Sequence, residues 1–214
     1  MKSPYVKICG NQSLQDVQTT VKVGVDYIGF IFAESKRYVK PKDVANWLKN
    51  VSNVNRTKSV GVFVNPNLKE VESIIQSVPL DVIQLHGIES PSFVDAVKKT
   101  TGKQVWKALH YKKDVVEDMK KFCSFVDGFV IDSQVKGMWG GTGISFDWSD
   151  VTQYISVAKK ERKQLFIAGG INEENVEYLL QKGVQGIDLA SGVESNQRKD
   201  LNRIKGFLER VKKS

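Results

Sequence analysis

The feature that most constrains this chain is an alternation of strand and helix patterns. Candidate strands begin near Tyr5, Asp26, Lys58, Asp81, Gln104, Val126, Gln164 and Val184, with cores YVKIC, DYIGFIF, KSVGVFV, DVIQLHG, QVWKALH, VDGFVID, QLFIAGG and VQGIDLAS. A helical pattern follows most of them. Leu14, Val17 and Val21 recur at helical spacing, as do Val44, Trp47, Leu48 and Val51; Leu68, Val71, Ile75 and Val78; and Leu201, Ile204, Leu208 and Val211. Such alternation predicts parallel strands joined by right-handed crossovers. Eight units in 214 residues predict an α/β fold, a (β/α)8 TIM barrel in a single domain spanning residues 1–214. An open doubly wound sheet is the alternative, but no GxGxxG follows the first strand.

Most units repeat about every 20 to 23 residues, and two are longer. The second carries AESKRYVK, residues 33–40, and the sixth carries SQVKGMWGGTGIS, residues 133–145. Both follow a strand, so both belong to the carboxyl end of a barrel, where such folds place their chemistry. The net charge of +8 resides largely in lysine pairs such as Lys98-Lys99 and Lys120-Lys121, beside helical patterns. A solvated outer face explains them, with attraction of a small anionic substrate as a second reading. No nucleic-acid motif is present, and no apolar run is long enough to span a membrane. The N-terminus has no apolar segment of signal-peptide type, and two cysteines are too few for a disulfide scaffold, so the cytoplasm is the expected location. The two histidines, Cys9 and Cys123 show no metal-ligand spacing.

Several residues stand at strand ends. Gly169 and Gly170 close the seventh strand, with Asn172 as a candidate N-cap, and Ser191-Gly192 follow the eighth. Glycines let backbone N–H groups approach an anion, and the loops after strands seven and eight are the usual phosphate site of a barrel. Asp132 ends the sixth strand and reads either as a cap or as a general acid. Cys9 ends the first strand, before Gly10, as an inert core thiol or a functional one. Arg37 lies in the long second loop, either solvated or clamping a carboxylate. His86 ends the fourth strand, either as a pocket residue that hydrogen-bonds substrate or as a satisfied edge histidine; Asp188 has inward and outward options. Lys7 shares a face with Cys9, where it either pairs with an interior carboxylate or lowers the thiol pKa.

These residues sit in segments that resemble a known family. VKICG, GFIFAESKRYV, VGVFVN, DVIQLHG, VIDS, GGTGISFDW, IAGGI and IDLASGVES occur in order from residue 6 to about 195, and they resemble phosphoribosylanthranilate isomerase of tryptophan biosynthesis. The resemblance implies a (β/α)8 barrel running an Amadori rearrangement of N-(5′-phosphoribosyl)anthranilate without cofactor or metal. It implies Asp132 as general acid, Cys9 as general base, Arg37 on the anthranilate carboxylate, and Gly169, Gly170, Ser191 and Gly192 as the phosphate cradle. His86 falls in a recurring motif of the family. The partner expected is a small phosphorylated substrate, with no nucleic acid and no membrane. Strands one and six are expected to lie across the barrel from each other, so that Cys9 and Asp132 flank a bound ribose. A histidine-pathway isomerase of a phosphorylated aminoimidazole is the nearest rival, against which Cys9 and Arg37 argue. A non-catalytic phosphosugar-binding barrel is the other.

Overall fold

The computed structural model describes residues 3–52, 54–132 and 148–213. The long sixth-unit loop singled out in the sequence lies outside them. In chain order the described elements are β1 (Tyr5–Ile8), α1 (Leu14–Lys22), β2 (Tyr27–Ile31), α2 (Pro41–Asn50), β3 (Lys58–Phe63), α3 (Leu68–Ser77), β4 (Val82–Leu85), α4 (Pro91–Thr101), β5 (Gln104–His110), α5 (Val115–Phe122), β6 (Gly128–Asp132), α6 (Val151–Lys160), β7 (Gln164–Ala168), α7 (Val176–Gln181), β8 (Gly186–Leu189) and α8 (Leu201–Lys213). The strands close in sequence order into a parallel barrel, and β1 pairs with β8 to complete the ring. The predicted strand starts all fall within two residues of these.

A closed barrel buries both faces of each strand, and the strands sort their side chains accordingly. Val6 and Ile8 point outward into the shell packed under the helices, together with Val17, Val44, Val71 and Ile204. The other face fills the axis: Tyr27, Val60, Val82, Trp106, Ala108, Val130, Phe166 and Ala168 form a separate interior cluster. Tyr27, Trp106 and Phe166 meet there with ring centroids 4.7–5.3 Å apart. They plug the barrel, so polar chemistry is confined to the rim.

Local signals set the helix boundaries. The Ser13 side chain caps α1 by accepting from the Asp16 N–H, Asn67 and Glu70 form a reciprocal capping box on α3, and Ser90 followed by Pro91 starts α4. The seventh helix begins later than Asn172 suggests. Asn172 instead caps the preceding turn, where its Oδ1 accepts from the Glu174 and Asn175 N–H groups, and α7 starts at Val176. The lysine pairs lie on solvated helix faces with acidic neighbours: Lys99 pairs with Asp95, Lys120 with Glu117 and Lys121 with Asp118.

A two-stranded hairpin, β9 (Glu194–Ser195) and β10 (Arg198–Lys199), follows β8 and has no counterpart in the sequence reading. Its turn places Asn196 and Gln197 at φ of 50° and 62°, the left-handed pair of a tight hairpin turn. Phe166 tests the interior plug. Phe166→Ala removes a fully buried ring that Tyr27 and Trp106 pack against, and should cost about 3–5 kcal/mol in urea unfolding. A loss under about 1 kcal/mol would mean the barrel axis is not a packed core.

Candidate active site

The carboxyl end of the barrel gathers the candidates, and the first strand sets the pattern. Lys7 points inward and is fully buried, and its register partner on β8 is Asp188. Lys7 Nζ lies 2.7 Å from Asp188 Oδ2. Of the two sequence options for Lys7, the interior ion pair is formed, without excluding an influence on the thiol, and Asp188 faces inward. Burial opposes the ammonium, but Asp188 and then Cys9 favour it, so Lys7 ends above its ordinary pKa. Burial also pushes the Asp188 carboxyl up; Lys7 opposes this, and Asp132 adds to it. At 2.7 Å the geometry favours the charged pair.

Cys9 follows β1 directly, its N–H donating to the Leu189 carbonyl at 2.7 Å. The thiol is buried and free of disulfide, like that of Cys123 on α5's end. Burial is the largest influence on Cys9 and pushes its pKa up; Lys7 pulls it down, Asp188 pushes it up, and Lys199 pulls it down. The cation therefore limits the rise without reversing it. Gly10 takes φ of 73°, and a Cβ there would collide with Arg37 Cδ, so glycine is required for the turn and for the arginine's approach.

Arg37 thus lies against the backbone beside Cys9. Its guanidinium is held by Glu194, with Nε to Oε1 at 2.9 Å and Nη2 to Oε2 at 2.7 Å. Glu194 also accepts from Lys199 Nζ at 2.8 Å, and Lys199 donates to the carbonyls of Cys9 and Ala190. Burial pushes Glu194 up, but Arg37 and Lys199 outweigh it and hold the carboxyl below its usual range. The pair is bidentate, engaging both Nε and Nη2 of the guanidinium. Glu194 and Lys199 were missed in the sequence because both sit in the short hairpin. The only signal was the polar Asn196-Gln197 pair.

Asp132 ends β6, in register with His110 on β5. Counted round the wall from β1 through β8 and β7, β6 is three strands away, so Cys9 and Asp132 flank the mouth without being diametrically opposed. His86, one residue past β4, brings Nε2 to 3.5 Å from Asp132 Oδ2 and packs its ring against His110 at 5.2 Å. The loop carrying His86 is fixed by a buried pair, Lys107 to Glu89 at 3.0 Å, with Glu89 accepting from the Gly87 and Asn65 N–H groups. The histidines, without metal-ligand spacing in the sequence, thus converge in space. One ligand atom from each of His86, His110 and Asp132 lies within 4.8 Å of the others.

On the neighbouring strands, Gly169 and Gly170 take φ of 92° and 65° after β7. After β8, Ser191 to Val193 form a single 3-10 turn. Gly192 lies so close to the Ile171 carbonyl that a Cβ would clash, which lets the two loops meet. The structure thus brings Cys9, Lys7, Asp188, Asp132, His86 and Arg37 to one mouth, with the glycine loops along its β7–β8 side.

A family model described as N-(5′-phosphoribosyl)anthranilate (PRA) isomerase matches residues 6–210. The N-(5′-phosphoribosyl)anthranilate isomerase of Bacillus licheniformis is 47% identical over 211 residues, covering 99% of this chain and 96% of that one. The crystal structure of phosphoribosyl anthranilate isomerase from Thermotoga maritima superposes with a TM-score of 0.85 at 30% identity, covering 99% of this chain and 100% of that one. Another isomerase structure, a complex with reduced 1-(o-carboxyphenylamino)-1-deoxyribulose 5-phosphate, matches with a TM-score of 0.82 at 28% identity, covering 99% and 100% of the two chains.

The electrostatics of the thiol are open to direct measurement. In a Cys123→Ser background, iodoacetamide should alkylate Cys9 with a pH midpoint above the ~8.5 of a free cysteine, because burial outweighs Lys7. Lys7→Met should move that midpoint further up, since it removes the cation that favours the thiolate. An unchanged midpoint in the folded variant would leave Lys7 only as the partner of Asp188.

Proposed function

The chain belongs to the N-(5′-phosphoribosyl)anthranilate isomerase family, and we propose that Cys9 and Asp132 are its base and acid, acting on one bound sugar. The protein is an isomerase of tryptophan biosynthesis, and its substrate is a phosphorylated small molecule. The observation that carries the residue assignment is the position of the two groups. Both stand at the carboxyl rim of a plugged barrel, and both are coupled to Asp188.

The reaction opens the furanose of phosphoribosylanthranilate. The anthranilate nitrogen lone pair expels the ring oxygen, which takes a proton from the Asp132 carboxyl, leaving an iminium at C1′. The Cys9 thiolate removes the proton from C2′. The C–H pair becomes the C1′=C2′ bond, and the iminium pair returns to nitrogen. The resulting enolamine tautomerises to the 2′-ketone, adding a proton at C1′. Lys7 favours the thiolate against burial. Asp188 Oδ1 is buried without a hydrogen-bond partner among the described residues, so it is available to accept from a sugar hydroxyl.

The remaining groups hold the ends of the substrate. Gly169, Gly170, Ser191 and Gly192 lie where two adjacent loops meet and supply backbone amides for the phosphate. Arg37, fixed by Glu194, reaches the anthranilate carboxylate. His86 borders the pocket beside Asp132. No helix among the described residues is long and apolar enough to cross a membrane, and we place the enzyme in the cytoplasm. The barrel is read as a single catalytic domain that works without nucleic acid, membrane, cofactor or resident metal.

Two variants test the roles. Asp132→Asn keeps the shape but donates no carboxylic proton, so kcat should fall by about 10²–10⁴-fold with substrate affinity little changed. Near-normal kcat would remove Asp132 from the chemistry. Arg37→Ala should weaken reduced 1-(o-carboxyphenylamino)-1-deoxyribulose 5-phosphate by about 1.5–3 kcal/mol, roughly ten- to 150-fold, while hardly affecting ribulose 5-phosphate. Equal weakening of both would mean that Arg37 shapes the site without reading the carboxylate.

A further inference from the structure

The three strand ends of β4, β5 and β6 carry a group of donors that the isomerisation does not need as a group. His86, His110 and Asp132 present two imidazoles and a carboxylate at the barrel mouth, each ligand atom within 4.8 Å of the others. Two histidines and one carboxylate with open positions are a donor set suited to divalent transition metals. The spacing supports this. At 3.5 Å, His86 Nε2 and Asp132 Oδ2 are long for a hydrogen bond. Metal–nitrogen and metal–oxygen bonds of about 2.0–2.2 Å around a tetrahedral ion place two ligand atoms about 3.4 Å apart. His86 Nε2 is moreover buried and makes no hydrogen bond within the described residues. The backbone already fixes the set. His110 and Asp132 are register partners, and the Lys107–Glu89 pair anchors the loop that follows His86.

We propose that His86, His110 and Asp132 form a site for a divalent transition-metal ion, zinc(II) being the probe, and that the metal inhibits the isomerase reversibly by occupying the Asp132 carboxylate. A metal-bound carboxylate holds no proton to give. The inhibition rests on Asp132 being the acid; the binding does not. The ion is thus an inhibitor of a metal-independent reaction.

Calorimetric titration of the intact, EDTA-treated enzyme with zinc(II), paired with rate assays, separates the two parts. The expected result is one ion bound per chain, with activity lost over the same concentration range and restored by EDTA. His110→Gln should weaken binding and inhibition together by roughly tenfold or more while leaving kcat without metal unchanged. Cys9→Ser should bind zinc as the parent does. Binding that persists at full strength in His110→Gln, or vanishes in Cys9→Ser, would overturn the site, the latter by making the thiol the ligand. Binding lost with His110 but never accompanied by inhibition would uphold the site and count against Asp132 as the acid.

Discussion

Lys7 and Asp188 meet where the ring of strands closes. They are register partners on β1 and β8, so the contact that sets the electrostatics of the mouth also lies across the last seam of the barrel. A fully buried ammonium is tolerable only with a partner at close range, and removing either member of such a pair typically costs about 3–5 kcal/mol. Slipping β1 by one residue against β8 would turn Lys7 into the apolar shell under the helices and leave Asp188 without its partner. The pair therefore ties register to the make-up of the mouth: the same slip would carry Cys9 away from it.

The same seam carries a second network. Lys199 donates to the carbonyls of Cys9 and Ala190, which follow β1 and β8, and pairs with Glu194, which holds Arg37 in two hydrogen bonds. Each charged group in this set is answered by another or by a backbone carbonyl. The guanidinium is thereby held in place by contacts within the chain, which would reduce the ordering that the proposed carboxylate binding requires. The short β9–β10 hairpin carries Glu194 and Lys199 to this place, and its turn holds Asn196 and Gln197 in the left-handed region.

Burial and charge divide the two groups proposed as base and acid. Cys9 is buried at its end of the rim, where burial pushes its thiol up and Lys7 limits the rise. Asp132 sits nearer solvent at the rim, beside His86. In the reaction proposed above, this sets the acceptor in the more buried part of the mouth and the proton donor nearer its edge.

The order of strands and helices was legible in the sequence because hydrophobic periodicity is local: each element declares its own buried face within a few residues. Val6 and Ile8 against Lys7 and Cys9 is one instance, and the capped starts of α1, α3 and α4 are others. Cys9, Asp132, Arg37 and the glycine loops were legible because strand ends become one face once the fold is a barrel. What meets across that face is a different matter. The choice of Asp188 for Lys7, of Glu194 for Arg37 and of His110 for His86 joins residues 181, 157 and 24 positions apart. No periodicity encodes such pairs, for they depend on the register of neighbouring strands and on how far each loop reaches. The same applies to the thiol, whose high pKa follows from how completely the closed barrel excludes water. The sequence by itself determined which residues stand at the rim; only the tertiary structure decided which of them touch, because contact and burial arise from the closed ring and not from any one strand.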